Sequence, residues 1–373
     1  MRILYFVNTA WYFELHWKDR VCKLINDGHD VHLITSFEND VIKNKLERLG
    51  IKCWHIDIDR FSINPIKNIK VLISFAKNIS IINPDLIHTI TIKPNIIGGV
   101  ISRLKSIPQI MSIVGLGRVF LHDGLLKSVI KKLYWLVVYK NNKLRIIFEH
   151  VSDKVAMENI VTVDSSRLYV IDGAGIDTTK YSYFPEKKTG TINVLFASRL
   201  LKSKGLELLI QSIKLLKSEG VNVTLKVAGI VDENDPDRIT LKQIKNWQEQ
   251  GLIEWLGTRD DVDNLLRECN IMVLPTVYAE GIPRIILEAC AIGRACIVGN
   301  MPGCRSIIKD KINGIVLAEH TIDNLILSLK YLIDNEDKRY DFGLKSAEII
   351  KEKYSKETVI KKTVEVYQLS LSE

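Results

Sequence analysis

Short apolar runs alternate with longer amphipathic stretches along the first half of this chain. Stretches such as Trp17–Asn26, Pro65–Ile82 and Leu125–Tyr139 carry apolar residues at helical spacing. Near-continuous apolar strands separated by helices are typical of a parallel sheet covered on both faces. The predicted strands are Arg2–Asn8, Val31–Ser36, Cys53–Ile58, Leu86–Thr91, Ile110–Val114, Arg145–Glu149 and Leu168–Ile171.

The alternation restarts after a polar segment, residues 180–191, whose proline, glycine and charged residues predict a linker. We therefore predict two Rossmann-like, doubly wound parallel-sheet α/β domains at residues 1–180 and 181–352, with a last helix within 353–373 that packs back across the boundary. Such sheets bind ligands at the carboxyl ends of their strands, so two facing domains would share a crevice. The second set of predicted strands is Asn193–Ala197, Thr224–Ala228, Ile253–Leu256, Ile271–Leu274, Ala295–Val298 and Ile315–Leu317.

Composition narrows the classes of partner. The 373 residues are 46% hydrophobic and 26% charged, as expected of globular domains. Lysine and arginine exceed acidic residues by eight, which suits phosphates, anionic lipid or nucleic acid, or only a solvated basic surface. The six cysteines form no Cys-x-x-Cys pair, which favours reduced thiols. The first residues lack signal-peptide features, and no apolar run approaches the ~18 residues that span a bilayer, so we expect a cytoplasmic protein that is at most attached to a membrane surface.

The segment 279–304 carries the sharpest chemical pattern. A helix is predicted from Pro283 to Ile292, which Gly293 would end, with Glu280 just ahead of it and Glu288 in its second turn. The free N–H groups at the start of such a helix form an anion site suited to a departing diphosphate. The pattern also fits an ordinary amphipathic helix with one acid at its positive end.

Two further patterns follow predicted strands. Arg199 and Lys204 lie in the loop after an apolar strand, where a guanidinium and an ammonium can hold phosphate oxygens or remain solvated. Glycine turns follow other strands, at Gly173 with Gly175 and in GLGRVF, which begins at Gly115.

A metal site is not expected. Asp57 and Asp59 form the Asp-x-Asp pattern that binds metal in some sugar-transfer enzymes, yet they alternate with isoleucine like the exposed face of a strand. His16 and His88 are single histidines near the first and fourth strands, and a single histidine is more often structural.

The stretch Leu125–Tyr139 predicts a basic amphipathic helix. Leu126, Val129, Ile130, Leu133 and Val137 would share its apolar side. Such a helix suits the surface of an anionic membrane, or it is a buried helix with a cationic solvent face. The candidate membrane residues are Lys127, Lys131, Lys132 and Trp135.

Taken in order, these segments resemble the retaining glycosyltransferases of family four, which have the GT-B fold of two Rossmann-like domains. The resemblance is closest to the branch that builds bacterial O-antigen, capsule or glycan repeat units on undecaprenyl diphosphate. One departure is Val114, which stands where many relatives have histidine. The segments that carry the resemblance are WYFELHWKDR, PDLIHTITIKPNIIGGV, IVGLGRVF, VIDGAGIDTTKY, SRLLKSKG, EWLGTRDDV and EGIPRIILEACAIGRACIV.

The resemblance implies roles for individual residues. The catalytic group would be Glu280, Arg199 and Lys204, with the two cations on the donor diphosphate and Glu280 on the donor sugar. Glu288 would bind the ribose hydroxyls, in a donor site that also includes Thr258, Arg259, Gly281, Ile282 and Pro283. The N-terminal domain would bind the acceptor through loops that contain His16, Lys93, Gly115 and Gly117.

The predicted activity is transfer of a hexose or N-acetylhexosamine from a UDP-sugar to an undecaprenyl-diphosphate-linked saccharide, with retention of configuration. No metal or other cofactor is expected, because the two cations and the helix N-terminus would stabilise the leaving diphosphate. The expected partners are the donor, the lipid-linked acceptor and the anionic cytoplasmic face of the inner membrane, and no nucleic acid. The alternatives are a sugar-nucleotide epimerase of the same fold and a non-catalytic protein that binds nucleotide sugars or nucleic acid.

Overall fold

The computed structural model describes residues 1–59, 62–115, 124–188, 190–278 and 281–371. Two compact units divide the chain. Unit 1 comprises Met1–Gly175 and Lys356–Glu373, and unit 2 comprises Ile176–Ser355. These divisions lie a few residues from the predicted boundaries at 180 and 352.

The predicted linker is wrong, because its residues pack within unit 2. The Phe184 N–H donates to the Ile292 carbonyl at 3.0 Å. The Glu186 carboxylate forms a buried ion pair with Arg339 at 3.1 Å. A charged stretch that looked solvated is therefore part of the packed unit, since its acid is matched by a distant arginine.

Unit 1 is built on a seven-stranded parallel sheet in the order β3-β2-β1-β4-β5-β6-β7. Its helices are α1 (Ala10–His16), α2 (Lys18–Asn26), α3 (Asp40–Glu47), α4 (Pro65–Ile82), α5 (Ile92–Lys105), α6 (Leu125–Val138), α7 (Val151–Glu158) and α15 (Lys356–Leu371). Its strands are β1 (Arg2–Thr9), β2 (Asp30–Ser36), β3 (Lys52–His55), β4 (Leu86–Ile90), β5 (Gln109–Ile113), β6 (Leu144–Phe148) and β7 (Leu168–Val170).

Unit 2 is built on a six-stranded parallel sheet in the order β10-β9-β8-β11-β12-β13. Its strands are β8 (Ile192–Arg199), β9 (Val223–Ile230), β10 (Glu254–Trp255), β11 (Ile271–Leu274), β12 (Ala295–Val298) and β13 (Ile315–Val316). Its helices are α8 (Leu206–Ser218), α9 (Leu241–Glu249), α10 (Val262–Glu268), α11 (Arg284–Ile292), α12 (Pro302–Ile307), α13 (Ile322–Asp334) and α14 (Glu336–Lys353).

The prediction of two doubly wound parallel-sheet domains is confirmed, and each predicted strand is present. The prediction for the first helical region is incomplete, because α1 precedes α2 and was not expected. Trp17, with φ −120° and ψ −19°, separates the two helices.

Helices cover both faces of the unit 1 sheet. One layer contains α1, α2, α3 and α15, whose apolar side chains pack in a core with Tyr5 and Leu33. The opposite layer contains α4, α5, α6 and α7, which pack against the other side of the sheet.

A buried polar network joins α15 to the unit 1 sheet. The Tyr367 hydroxyl lies 2.5 Å from the Tyr5 hydroxyl and 2.5 Å from Nδ1 of His88. Nε2 of His88 lies 2.8 Å from Oγ of Ser112. Burial, and secondly the nearby Arg20 cation, lower the pKa of His88 well below 6.5. His88 is therefore a neutral core residue that holds α15 in place.

Among the described residues, no helix combines the length and apolar character needed to cross a bilayer. The described residues also contain no cluster of three or more histidine, cysteine or acidic side chains that could hold a metal ion. All six cysteines are free thiols.

Candidate active site

Two cations meet over one aromatic ring at the carboxyl end of β8. The Arg199 guanidinium lies 5.5 Å from the Tyr278 ring centroid, and Nζ of Lys204 lies 5.1 Å from it. Lys204 is only 4% exposed. The quadrupole of the ring attracts both cations and offsets part of the cost of their burial. The arrangement concentrates positive charge where a parallel sheet binds ligands.

Backbone contacts fix the loop that carries Lys204. The Ser203 carbonyl accepts hydrogen bonds from the Val277 N–H at 2.9 Å and from the Thr276 hydroxyl at 3.3 Å. Gly205 has φ +84°, and a Cβ there would lie 2.3 Å from the Pro275 carbonyl oxygen. Only glycine allows this approach, which joins the loop after β8 to the loop after β11.

Carboxylates from the loop after β9 approach Arg199 and the backbone of the loop that carries Lys204. Oδ2 of Asp235, a buried residue, lies 3.8 Å from a guanidinium nitrogen of Arg199. Asp237 accepts a hydrogen bond from the Ser203 N–H at 3.2 Å. A diphosphate that binds Arg199 would therefore compete with a carboxylate already next to it.

Glu288 is buried in the second turn of α11, and two side chains bind its carboxylate. Nε of Arg284 donates to Oε1 of Glu288 at 2.9 Å, and the Tyr181 hydroxyl also forms a hydrogen bond with the carboxylate. Burial raises the pKa of Glu288, and the charge of Arg284 opposes that rise. The result is a preoriented carboxylate that can accept hydrogen bonds from ligand hydroxyls.

Three buried residues lead into the start of α11. Gly281, Ile282 and Pro283 are buried and precede the helix, and the N-cap residue Pro283 supplies no side-chain cap. Gly293, with φ +87°, ends the helix as the sequence predicted. Glu280 lies outside the described residues, so its predicted place on the donor sugar stays a prediction.

Thr258 and Arg259 lie at the same edge of the unit 2 sheet. The Thr258 hydroxyl donates to the Gly229 carbonyl at 3.1 Å, and Gly229 pairs with Ser198, the neighbour of Arg199. Arg259 forms a two-point ion pair with Asp261, at 2.7 and 2.6 Å. Thr258 is therefore one strand away from the cation pair, and the Arg259 side chain is engaged by its neighbour.

The predicted acceptor residues of unit 1 follow three different strands. His16 ends α1, and its ring lies 4.4 Å from that of Tyr12. Nζ of Lys93 donates to the backbone carbonyls of Asp59 and Ser62, so this side chain braces the loop after β3. Gly115 follows β5 with φ +100°. Gly117 lies outside the described residues.

The predicted apolar side of α6 is wrong for its first half. Leu126 and Val129 are exposed, and the buried residues of α6 are Tyr134, Val137 and Val138. The candidate membrane residues Lys131, Lys132 and Trp135 are exposed, and Lys127 is partly exposed. The helix therefore presents apolar and basic side chains together on its outer surface.

Two family models match the chain. The model described as Glycosyl transferase 4-like matches residues 2–149, and the model described as Glycosyl transferases group 1 matches residues 177–348. The chain belongs to the GT-B glycosyltransferases. The epimerase alternative has no support in these matches.

Three similar proteins illustrate the range of this glycosyltransferase's relatives. The N,N'-diacetylbacillosaminyl-diphospho-undecaprenol alpha-1,3-N-acetylgalactosaminyltransferase of Campylobacter jejuni is 28% identical, with 92% of each chain covered. The UDP-Gal:alpha-D-GlcNAc-diphosphoundecaprenol alpha-1,3-galactosyltransferase of Escherichia coli is 24% identical over 84% of this chain and 82% of its own. The crystal structure of Anabaena HepE with UDP and glucose covers 99% of each chain at 17% identity and a TM-score of 0.78.

Sequence reasoning missed four residues that shape the glycosyltransferase's candidate site. These are the two residues that bind Glu288, together with Tyr278 and Asp235. Tyr278 could have been found from the sequence, because it stands two residues before the candidate residue Glu280. Asp235 could also have been found, because it lies in the acidic stretch DENDPD. This stretch follows the end of β9, just as Arg199 stands at the end of β8.

Proposed function

We propose that this glycosyltransferase moves a hexose or N-acetylhexosamine from a UDP-sugar to an undecaprenyl-diphosphate-linked saccharide, with retention of configuration. The main support for the donor site is the pair of cations, Arg199 and Lys204, which lie over the Tyr278 ring at the carboxyl end of β8. The acceptor class is supported by the printed names of the Campylobacter and Escherichia relatives. The choice of UDP is supported by the name of the latter relative and by the HepE complex.

In this proposal unit 2 binds the donor. Arg199 and Lys204 hold the diphosphate, and the start of α11 adds the positive end of its helix dipole. Glu288 accepts hydrogen bonds from the ribose hydroxyls, while Thr258 and Arg259 line the base pocket. Glu280 contacts the donor sugar together with backbone from Gly281 to Pro283.

The main catalytic effect would be stabilisation of the leaving group. Negative charge grows on the diphosphate as the sugar–phosphate bond breaks, and preorganised cations lower the energy of that transition state. The acceptor hydroxyl attacks the anomeric carbon from the face that the diphosphate leaves, and its proton passes to a diphosphate oxygen. Because two side-chain cations supply the positive charge, we propose that transfer needs no divalent metal.

Calorimetric titration with UDP, GDP, dTDP and CMP in the presence of EDTA tests the donor site. We expect selective UDP binding, weakened roughly 10- to 100-fold by Lys204→Ala or Glu288→Ala, because each change removes a charged contact. Lys202→Ala is the matched control, since this lysine lies in the same turn with an exposed side chain. Normal UDP affinity in both site variants, or binding that requires added Mn²⁺, would contradict the proposal.

The acceptor would be reached at a membrane surface. We propose that unit 1 binds the acceptor through its loops, which contain His16, Lys93, Gly115 and Gly117, and that α6 contacts the anionic cytoplasmic face of the inner membrane. This would make the enzyme a peripheral membrane protein.

Replacement of Lys127, Lys131 and Lys132 by glutamine tests the role of α6. We expect binding to phosphatidylglycerol-containing vesicles to weaken roughly tenfold or more, since each surface lysine contributes about 1 kcal/mol near anionic lipid. The control replaces Lys214, Lys242 and Lys245, three exposed lysines of unit 2. Equal vesicle binding by both variants would remove α6 from the membrane contact.

A further inference from the structure

One carboxylate is buried beside the candidate diphosphate site. Asp235, in the loop after β9, is 1% exposed, and its Oδ2 lies 3.8 Å from a guanidinium nitrogen of Arg199. The Arg199 side chain is 23% exposed, so part of the guanidinium remains open to a ligand. A diphosphate that binds at Arg199 and Lys204 therefore meets two cations and one fixed negative charge next to them.

Backbone contacts keep this carboxylate in place. Oδ1 of Asp235 accepts a hydrogen bond from the Asp237 N–H at 2.9 Å, and the Asp235 N–H donates to the Asp232 carbonyl at 3.0 Å. The same loop is tied to the turn that carries Lys204, because the Lys202 N–H donates to the Asp237 carbonyl at 2.8 Å. The carboxylate and the cations therefore belong to one connected piece of backbone, which keeps them together when a ligand binds.

The hydrogen bond to Asp237 does not by itself call for a charge at Asp235. An asparagine could accept the same N–H bond through its amide oxygen, without the cost of burying a charge. Arg199 is partly exposed, so water can solvate its guanidinium in the absence of a carboxylate. A buried charge next to a ligand site is a candidate for a role in ligand binding.

The donor and the product of the proposed reaction differ in charge at this place. The diphosphate of a UDP-sugar carries about two negative charges, because its terminal phosphate is esterified. In UDP the terminal phosphate is free and loses its last proton with a pKa of about 6, so UDP carries about three negative charges at neutral pH. Two cations alone would therefore hold the product more tightly than the donor and delay the next cycle.

We propose that Asp235 shifts the preference of the diphosphate site from the product UDP towards the UDP-sugar donor. Its charge repels both ligands, and it repels UDP more because UDP carries the larger negative charge. A phosphate oxygen bound to Arg199 lies within about 8 Å of the carboxylate, a distance over which buried charges are little screened. This inference rests on the proposed donor site and adds a residue that determines its specificity.

The repulsion grows at the end of the proposed reaction. The proton of the acceptor hydroxyl passes to a diphosphate oxygen as the new glycosidic bond forms and the sugar–phosphate bond breaks. UDP then loses this proton to water and gains its full charge. Because Asp235 acts most strongly on the fully charged form, it favours release of UDP after transfer has occurred.

Calorimetric titrations at pH 8 compare the full chain with the Asp235→Asn variant, which keeps the shape of the side chain. The ligands are uridine, UDP and the β-methyl ester of UDP, which has the diphosphate charge of a donor without any sugar. Glu233→Gln is the matched control, because it removes one negative charge from an exposed residue of the same loop. Thermal melting shows whether each variant is folded.

We expect Asp235→Asn to bind UDP roughly tenfold more tightly and the methyl ester only about three- to fivefold more tightly, in proportion to their charges. The affinity for uridine should not change, because uridine has no phosphate. Stopped-flow displacement of bound UDP should show the gain as slower dissociation. Glu233→Gln should bind all three ligands like the parent chain.

Three outcomes would overturn the proposal for Asp235. Weaker UDP binding by Asp235→Asn would show that the carboxylate orients Arg199 and does not repel phosphate. An equal change for UDP and its methyl ester, including no change, would show that the carboxylate does not distinguish product from donor. A similar gain in Glu233→Gln would assign the effect to the net charge of the loop.

The parent chain decides the question if Asp235→Asn does not fold. We expect the parent to bind UDP no more than roughly threefold more tightly than the methyl ester, and a preference above roughly tenfold would contradict the proposal. A folded parent that binds neither UDP nor its ester would overturn the proposed donor site, and this inference with it. Failure of the inference alone leaves UDP binding intact and changes only the ratio between the two ligands.

Discussion

Glu288 shows how neighbouring side chains prepare a single carboxylate. A carboxyl group buried without partners would take up a proton, because burial disfavours its charged form. Arg284 supplies a charge at 2.9 Å, and Tyr181 supplies a hydroxyl donor. Both partners favour the ionised form and restrict its orientation, so less ordering is left to occur when a ligand binds.

The Tyr181→Phe substitution isolates the hydroxyl contribution at this residue. The ring remains to pack, but Glu288 loses a donor, so we expect UDP affinity to fall about 5- to 10-fold. The pKa of Glu288 should rise further, so that UDP binding is lost at a higher pH than in the parent. Calorimetry across a pH series measures both effects.

Tyr183→Phe is the control, because Tyr183 is exposed in the same segment. A uniform loss of affinity at all pH values would indicate a packing defect. Unchanged affinity in Tyr181→Phe would show that Arg284 alone orients the carboxylate.

Helix α15 belongs to unit 1 through a few buried polar contacts. Its hydroxyl at Tyr367 meets Tyr5 and His88, and Ser112 occupies the other ring nitrogen of His88. The groups that face His88 are thus uncharged hydroxyls, with the Arg20 cation nearby. A protonated imidazolium would therefore have no negatively charged partner among these groups.

We expect the stability of unit 1 to decline below pH 6.5, the ordinary pKa of histidine. The unfolded chain binds a proton there and the folded chain does not, so acid favours unfolding by up to ~1.4 kcal/mol per pH unit. Hydrogen exchange of the β1 and β4 amides, followed between about pH 5 and pH 7, measures the local free energy of opening. The His88→Gln variant should flatten this dependence.

Amides of β8 and β9 in unit 2 serve as an internal control in the same experiment, because His88 does not contact them. If the parent and His88→Gln show the same pH dependence of unit 1 stability, His88 is not the group that causes this dependence.

At the scale of the whole molecule, local sequence patterns predicted the fold and some residues of the candidate site. The strands were predictable because buried parallel strands are almost uniformly apolar. The motif residues Arg199, Lys204 and Glu288 stand beside recognisable strand ends and helix signals. The linker and the partners of Glu288 were not predictable, since Glu186 meets an arginine 153 positions away and Tyr181 reaches Glu288 from a segment that lacks periodicity. Such long-range pairing of polar groups leaves no local pattern.

The order of segments along the chain also constrains how the protein is made. Residues of unit 2 are contiguous, whereas unit 1 takes its last helix from residues that a ribosome synthesises after all of unit 2. Tyr5 cannot form its hydrogen bond with Tyr367 until that residue, 362 positions later, has been synthesised. Contacts between residues so far apart in the sequence form slowly. We infer that unit 2 reaches its folded form first during translation, although it is the second to emerge. The nascent first unit would keep Tyr5, His88 and the apolar surface beneath α15 uncovered until residues 356–371 have been synthesised, and exposed apolar surface of this kind promotes aggregation.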